Sequence, residues 1–388
     1  MTPVLANQLY YITHINNLAS ILQHGILSHH NIEKDGIPYE RIYDSGIVSN
    51  RQSILTPDSK SLWHYANLYF QPRNPMLYRV LYEKSYKDIA IVAVSGELAK
   101  RHDVFISLGN AAHSLSTIVP SSEYPKYAAR MKKNVDVEWW TEENGSKRKI
   151  MSECLVPEAV GPENVQAIYV ASHELANKLK DQLPTLIPII PEPKFFFQPN
   201  QKIQVTNNLF IVDGDMFFSR MQTLTISVNC VGVMGKGLAS RAKYQFPDVY
   251  VVYQDACRKK ALQMGKPYLY QRETSFDYKL ADEPESFQKG EGRWFLLFAT
   301  KNHWKQNADR DGIEKGLIWL VENYKKEKIT SIALPALGCG LGNLEWGEVG
   351  PLMCKYLSKM DIPTWVYLPS EKMVKDEQLT KNFLLGTS

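Results

Sequence analysis

Two glycine-rich loops and three side chains, Arg51, Glu153 and Lys301, have the types and settings that suit chemistry. The first loop, Asn229 to Ala239 (Asn-Cys-Val-Gly-Val-Met-Gly-Lys-Gly-Leu-Ala), follows the apolar, β-rich run Leu224 to Val228 and precedes a helix-like run, Leu238 to Phe246. Strand, glycine loop and helix in that order point free backbone N–H groups at a phosphate. The second loop, Pro335 to Gly342 (Pro-Ala-Leu-Gly-Cys-Gly-Leu-Gly), follows the apolar run Ser331 to Leu334. Two such loops imply a ligand with two phosphates, gripped from both sides. Glu153 sits among apolar neighbours in the strand-like run Lys149 to Val156. A carboxylate fixed there could stabilise a developing positive charge; the same position also suits a core-edge glutamate paired with an arginine. Lys301 is a nucleophile or base if its site is confined, and otherwise a solvated lysine.

The elements that must position these groups divide the chain. At 388 residues, two domains are the expectation. A composition of 44% hydrophobic and 22% charged residues is ordinary for a folded soluble protein. No apolar run reaches the ~20 residues that span a bilayer, and the stretch Met1 to Tyr11 does not read as a signal peptide. Five scattered cysteines suit a reducing, cytoplasmic compartment rather than a disulfide framework. Cysteine and histidine spacing shows no metal motif, so no metal is expected.

In the first half, Leu9–Ile12 reads as a strand and Leu18–His24 as a helix closed by Gly25. Residues 31–60, with Arg51, read as a long loop. Leu68–Phe70, Met76–Tyr82, Ile89–Val94, Asp103–Ile106 and Val165–Ala171 read as strands, and Glu174–Gln182 as a helix. This half is expected to be α+β. Residues 187–202 lie in a proline-rich stretch that also holds Phe195, Phe196 and Phe197. It reads as a stiff linker whose phenylalanines dock on one domain. Beyond it strands and helices alternate, with strands at Ile203–Val205, Leu224–Val228, Trp294–Ala299, Ser331–Leu334 and Thr364–Val366. Helices are expected at Leu238–Phe246, Val249–Gln263, Arg310–Lys326 and Trp346–Met360. That pattern is a three-layer α/β domain over 203–372, followed by a tail, 373–388.

The net charge of +4 says little about partners. Locally, Lys126, Arg130, Lys132, Lys133, Lys147, Arg148 and Lys149 flank Trp139 and Trp140. Such interleaving suits single-stranded nucleic acid, and equally a solvated face over two core tryptophans. A dinucleotide fold fits the glycine loop poorly, because Ser240 stands where its third glycine or alanine belongs; a triphosphate loop lacks its GxxxxGK[ST].

Residues 203–367 resemble a macrodomain, the fold that binds ADP-ribose. The resemblance rests on Val212-Asp213-Gly214-Asp215-Met216-Phe217, the first loop, Phe298-Ala299-Thr300-Lys301-Asn302-His303-Trp304, and Pro335 to Trp346. It is nearest to the DarG macrodomains, which remove ADP-ribose from DNA. It implies an adenine contact at Asp215, a distal-ribose contact at Asn229, and dependence of hydrolysis on Lys301. ADP-ribose binding is then implied for Met216, Gly232, Val233, Met234, Gly235, Lys236 and Gly237, and for Leu337, Gly338, Cys339, Gly340, Leu341 and Gly342. A related human hydrolase pairs its lysine with an aspartate in the second loop; here that position is Gly342, so charge or positioning is the open alternative to a covalent role.

Residues 9–185 resemble DarT, the toxin that transfers ADP-ribose from NAD to thymidine in single-stranded DNA. The matching segments are Leu9 to Leu18 with Ile21 to Gly25, Asn50-Arg51 with Pro57, Leu68 to Tyr78, Gly109 to Ala112, and Ser152 to Val156. The resemblance implies Arg51 and Glu153 as catalytic, and NAD contacts at Tyr11, Thr13, His14, Asn16, Leu22, Gly25 and Arg51. DNA contacts are implied at Asn110 and expected also at Arg73, His113, Lys132, Trp139 and Trp140. The whole is similar to a DarT–DarG toxin–antitoxin fusion: an α+β ADP-ribosyltransferase-like domain writing the mark, then an α/β three-layer macrodomain erasing it. Another acceptor (guanine, RNA or protein), or a macrodomain that only reads ADP-ribose, stays open.

Overall fold

The computed structural model describes residues 7–43, 50–275, 277–282, 292–370 and 372–386. Part of the expected loop at 31–60, residues 44–49, lies outside them. The chain divides into two units: unit 1 holds residues up to Phe197 together with 279–284, and unit 2 holds the rest.

Unit 1 is built on β1 (Gln8–His14), β2 (Ile26–Leu27), β3 (Tyr65–Tyr69), β4 (Ile89–Ser95), β5 (Phe105–Ser107), β6 (Ile118–Pro120), β7 (Glu153–Pro157), β8 (Ala159–Val160), β9 (Val165–Val170) and β10 (Ile189–Pro191). Eight of these form one sheet in the order β10-β9-β4-β1-β3-β7-β5-β6, antiparallel except for the β9–β10 pair. Every residue of β4 but the last is buried, as its unbroken apolar run requires of a central strand. Helices α1 (Leu18–His24), α2 (His29–Asp35), α3 (Pro75–Glu83), α4 (Tyr124–Val135) and α5 (His173–Gln182) complete the unit.

Three expectations are corrected. The run Met76–Tyr82 is helical: the Asn74 side chain accepts from the Leu77 amide at 3.0 Å and Pro75 opens the first turn, so the cap outweighs the β-forming residues. The long loop starts with α2, whose Ser28 hydroxyl caps Asn31. The strand expected from Lys149 begins only at Glu153, because Ser146–Lys149 is a turn of helix.

The proline-rich stretch is folded. Ile189–Pro191 pairs with β9, and Pro193–Phe196 is a short 3₁₀ turn. Phe196 is fully buried, Phe195 packs edge-on against Tyr10 and Tyr169, and Phe197 against Tyr78 and Trp140. Residues 279–282 also pack in unit 1. Leu280 and Ala281 are buried there, and the Trp140 indole donates to the Leu280 carbonyl at 3.0 Å. The expected block 203–372 is therefore interrupted.

Unit 2 contains β11 (Gln201–Gln204), β12 (Leu209–Asp213), β13 (Thr223–Asn229), β14 (Tyr268–Tyr270), β15 (Trp294–Lys301), β16 (Ile332–Pro335) and β17 (Thr364–Tyr367), in the order β11-β12-β17-β16-β13-β15-β14. The inner five are parallel and the two edges antiparallel. Helices α6 (Gly237–Gln245), α7 (Pro247–Arg258), α8 (Arg310–Asn323) and α9 (Trp346–Leu357) cover the sheet. Along β15, Leu296 and Phe298 join the core that includes α8 and α9, while Phe295 meets Phe246 on the opposite face. Period-two alternation thus feeds two helical layers, as the sequence pattern implied.

Candidate active sites

In unit 1, Glu153 opens β7 between Tyr69 of β3 and Ser107 of β5. It has no solvent exposure. One carboxylate oxygen accepts from the Ala111 amide at 2.8 Å, the other from an Arg51 guanidinium nitrogen at 2.8 Å. The loop that presents Ala111 is itself fixed: the Ser107 hydroxyl donates to the Gly109 carbonyl at 2.7 Å, and the Asn110 amide donates to Arg148. The Arg148 guanidinium and the Ser116 hydroxyl crowd Gly109, so a side chain there would have to displace both. Burial opposes the charge on Arg51, but the charge and hydrogen bond of Glu153 outweigh it and hold the guanidinium above its usual range.

Arg51 opens onto a pocket lined also by Tyr11, Thr13, Asn67, Tyr69 and Asn110. Above it the His29 ring stacks on Trp63 at 4.6 Å and its Nδ1 pairs with the Tyr43 hydroxyl at 3.1 Å; that hydroxyl meets Tyr39 at 2.9 Å. Burial, then the charges of Arg51 and Arg41, push His29 down to about 4, so it is neutral at physiological pH. On another wall Arg79, 1% exposed, pairs with Asp282 at 2.7 Å.

Of the expected NAD contacts, Tyr11, Thr13 and Arg51 line this pocket. His14, Asn16, Leu22 and Gly25 stand outside its lining and have local tasks. His14 Nδ1 caps the Asn16 amide, Leu22 packs on the core, and Gly25 closes α1 at φ +82° where a Cβ would collide with the Val160 carbonyl. His29, Tyr43, Tyr69 and Arg79 were missed. Tyr43 comes from the segment read as a long loop and Tyr69 and Arg79 from runs read as strands, and no spacing ties them or His29 together.

Of the expected DNA contacts, Asn110 and His113 line the pocket. Lys132 is exposed beside Asp136, and Trp139 is half-buried. Trp140 is corrected: it is 1% exposed, with its indole on a backbone carbonyl, so no base can stack on it. Arg73 is corrected too. It is buried, donates to the Glu138 carbonyl at 2.5 Å and lies over the Phe197 ring, so its guanidinium is engaged in the interior. Lys147 is also buried, against Glu142.

In unit 2 the expected residues gather at the carboxyl ends of parallel strands, where such sheets bind ligands. Asp215 follows β12, the first loop follows β13, Lys301 ends β15 and the second loop follows β16. The loops touch: a Cβ on Gly237 would lie 3.3 Å from Leu341. Gly232 and Gly338 need glycine for their positive φ, +78° and +76°.

Asn229 acts as a staple. Its Oδ1 accepts from the Val231 amide at 3.0 Å and from the Tyr253 hydroxyl at 2.8 Å, and its Nδ2 donates to the Val233 carbonyl at 2.7 Å. Asp215 caps the turn at Phe217 and is gripped by Arg241 at 2.8 and 2.9 Å, with that guanidinium over the Phe217 ring. Sequence reasoning missed Tyr253 and Arg241, which lie in helices and carry no motif.

The Lys301 ammonium donates to the Leu341 carbonyl at 3.0 Å, and among the described residues no carboxylate pairs with it. Burial lowers its pKa. The aspartate absent at Gly342 has a steric reason: a Cβ there would meet the Gly338 carbonyl oxygen at 2.4 Å and Ala308 at 2.8 Å.

Comparison with known proteins covers both units. A family model for the ssDNA thymidine ADP-ribosyltransferase DarT matches residues 10–197, and a macro domain model matches residues 294–353. A DNA ADP-ribosyl transferase–DNA ADP-ribosyl glycohydrolase fusion protein of Thermosipho africanus is 58% identical over 387 residues, 98% of each chain. The solved structure of Thermosipho africanus DarTG in complex with ADP-ribose matches with a TM-score of 0.94 at 58% identity, over 98% of this chain and 100% of that one. A DNA ADP-ribosyl glycohydrolase of Thermus aquaticus is 34% identical over 164 residues, 42% of each chain.

Proposed function

The chain belongs to the DarT–DarG family of DNA ADP-ribosyl transferase–DNA ADP-ribosyl glycohydrolase fusions, and on that premise we propose that unit 1 writes ADP-ribose on thymidine in single-stranded DNA and unit 2 erases it. The observation that carries the reading is Glu153, a carboxylate without solvent exposure held by two 2.8 Å hydrogen bonds beside a pocket that Arg51 enters.

The donor is NAD. As the bond from ribose to nicotinamide breaks, the sugar gains positive charge, and a fixed carboxylate stabilises it without reorganising. Nicotinamide leaves neutral, the thymine ring N–H releases its proton to solvent, and its nitrogen bonds to the sugar carbon. Arg51, held cationic by Glu153, steadies the negative charge that develops on the thymine ring. In unit 2 the two loops hold the diphosphate through backbone N–H groups. Water takes the sugar carbon, and the thymine nitrogen regains its proton. Lys301 acts there as a cation next to the scissile bond; with glycine at 342, no carboxylate among the described residues pairs with it for a covalent lysine route. Asp215 contacts the adenine, and Arg241 and Tyr253 hold Asp215 and Asn229 in place. The cysteines are free thiols, which accords with a cytoplasmic location.

The test incubates the full chain with NAD and a thymine-containing single-stranded oligonucleotide. Adduct should build up with Lys301→Ala and be missing with Glu153→Ala. Equal labelling of an oligonucleotide without thymine would replace the acceptor, and no adduct from either variant would remove the reading.

A further inference from the structure

The site in unit 2 has apolar surface that a diphosphate sugar does not explain. Among the described residues, Trp304 is the one exposed tryptophan, at 51%. Val231, Val233 and Leu341, on the two glycine loops, are exposed as well. Trp304 lies on neither loop. It follows Lys301 by three residues, a reach of about 11 Å at most.

The segment that carries it is rigidly mounted. The Asn302 carbonyl accepts from the Cys230 amide of the first loop at 3.1 Å, and the Ala308 amide donates to the Gly342 carbonyl of the second at 2.9 Å. Asn343 Nδ2 donates to Asn307 at 2.8 Å. Between those anchors the tip is stiffened from within: Gln306 Oε1 accepts from the His303 amide at 3.0 Å, and His303 Nδ1 accepts from the Lys305 amide at 3.3 Å. The His303 ring stacks against Trp304 with centroids 5.4 Å apart, and the Lys305 ammonium lies 5.1 Å from the Trp304 ring. An exposed tryptophan backed by a half-buried histidine, with a cation beside it and fixed to both ligand loops, is a layout that suits single strands: bases stack on rings while phosphates pair with charge.

Resting on the glycohydrolase reading above, we propose that the His303–Trp304–Lys305 tip is the DNA-recognition element of the erasing site. Trp304 stacks a base of the modified strand and Lys305 takes a backbone phosphate. Lys301 marks the reacting end of ADP-ribose, so the leaving base departs on the side where the chain runs on into the tip. Lys305, on a flexible exposed stem, exchanges its contact with the ring for one with a phosphate when a base arrives. Trp304 thereby selects modified DNA over free ADP-ribose.

The experiment measures ADP-ribose release by the full chain from a modified single-stranded oligonucleotide and from the modified mononucleoside, with ADP-ribose affinity measured alongside. Trp304→Ala should raise KM for the oligonucleotide about ten- to a hundredfold, leave kcat within about threefold, and leave ADP-ribose affinity unchanged. Trp304→Phe should recover most of the loss. Lys305→Ala should raise KM less and flatten its dependence on salt. A matching rise in KM for the mononucleoside supports the proposal with the modified thymine as the stacked base; no rise there supports it with a neighbouring base. An unchanged oligonucleotide KM in Trp304→Ala overturns the proposal, as does an equal loss of ADP-ribose affinity. Absence of release by the unaltered chain removes the glycohydrolase reading itself, a failure visible before any variant is made.

Discussion

Glu153 and Lys301 are held by opposite means. The carboxylate in unit 1 is fully enclosed, and both its oxygens are engaged, one by a backbone amide and one by the Arg51 cation. The ammonium in unit 2 is half-buried and has a carbonyl for a partner instead of a countercharge. A buried charge is tolerated when paired and hydrogen-bonded. The first site is therefore preformed and stiff, with its charge balanced before any substrate arrives. The second leaves its cation without a countercharge among the described residues.

The largest effect should come from unbalancing the first site. Glu153→Gln keeps the shape but removes the charge, and transfer should fall at least about a thousandfold, measured as the mass shift of a thymine oligonucleotide with NAD. Transfer near the native rate would mean that the pair is structural. Lys301→Ala should cost about a hundredfold or more in release of ADP-ribose, with ADP-ribose affinity, read by calorimetry, little changed. The pH profile sharpens this. Burial lowers the Lys301 pKa, so its positive charge is lost at a pH below that of an ordinary lysine. Release should then decline on the alkaline side; a rise there would make Lys301 a nucleophile or base.

Gly342→Asp supplies the carboxylate that the second site lacks. The collision with the Gly338 carbonyl should weaken ADP-ribose binding about tenfold, with no gain in turnover. Faster release would show that the loop can open to accept it. Tyr253→Phe deletes one hydroxyl from the Asn229 staple, and about fivefold weaker ADP-ribose binding is expected. The smallest effect concerns His29. Its pKa is pushed down to about 4 in the folded chain. The unfolded chain therefore binds the extra proton between pH 6.5 and 4, and stability falls as pH drops through that window. In acid melts of the full chain, His29→Phe should flatten this dependence; an unaltered slope would mean that His29 gains its proton without cost.

Much of both sites was legible in the sequence because the relevant signals are local. The strand–glycine–helix pattern of unit 2 needs only neighbours in the chain, and so do the positive-φ positions Gly232 and Gly338. The α1 helix, Leu18–His24, is read from its apolar spacing and the closing Gly25. Glu153 falls within a run read as strand, whereas the strand read at Trp294–Ala299 stops two residues short of Lys301, which ends the observed one. Where two local signals competed, as in Met76–Tyr82, the residue types pointed to strand and the Asn74–Pro75 cap decided for helix.

Tertiary structure alone decided which polar side chains meet. Arg51 and Glu153 are 102 residues apart, Asn229 and Tyr253 are 24 apart, and Asp215 and Arg241 are 26 apart. Each pair is made by packing between elements, and spacing within an element carries no trace of it. The same holds for the basic, aromatic stretch near Trp140. Its composition suits a DNA face, but burial of Trp140, Arg73 and Lys147 assigns those three to the interior. Exposure is a property of the fold as a whole, and it also separates Trp304 from Trp140: one tryptophan, three residues beyond Lys301, is turned out to solvent, and the other is buried in unit 1.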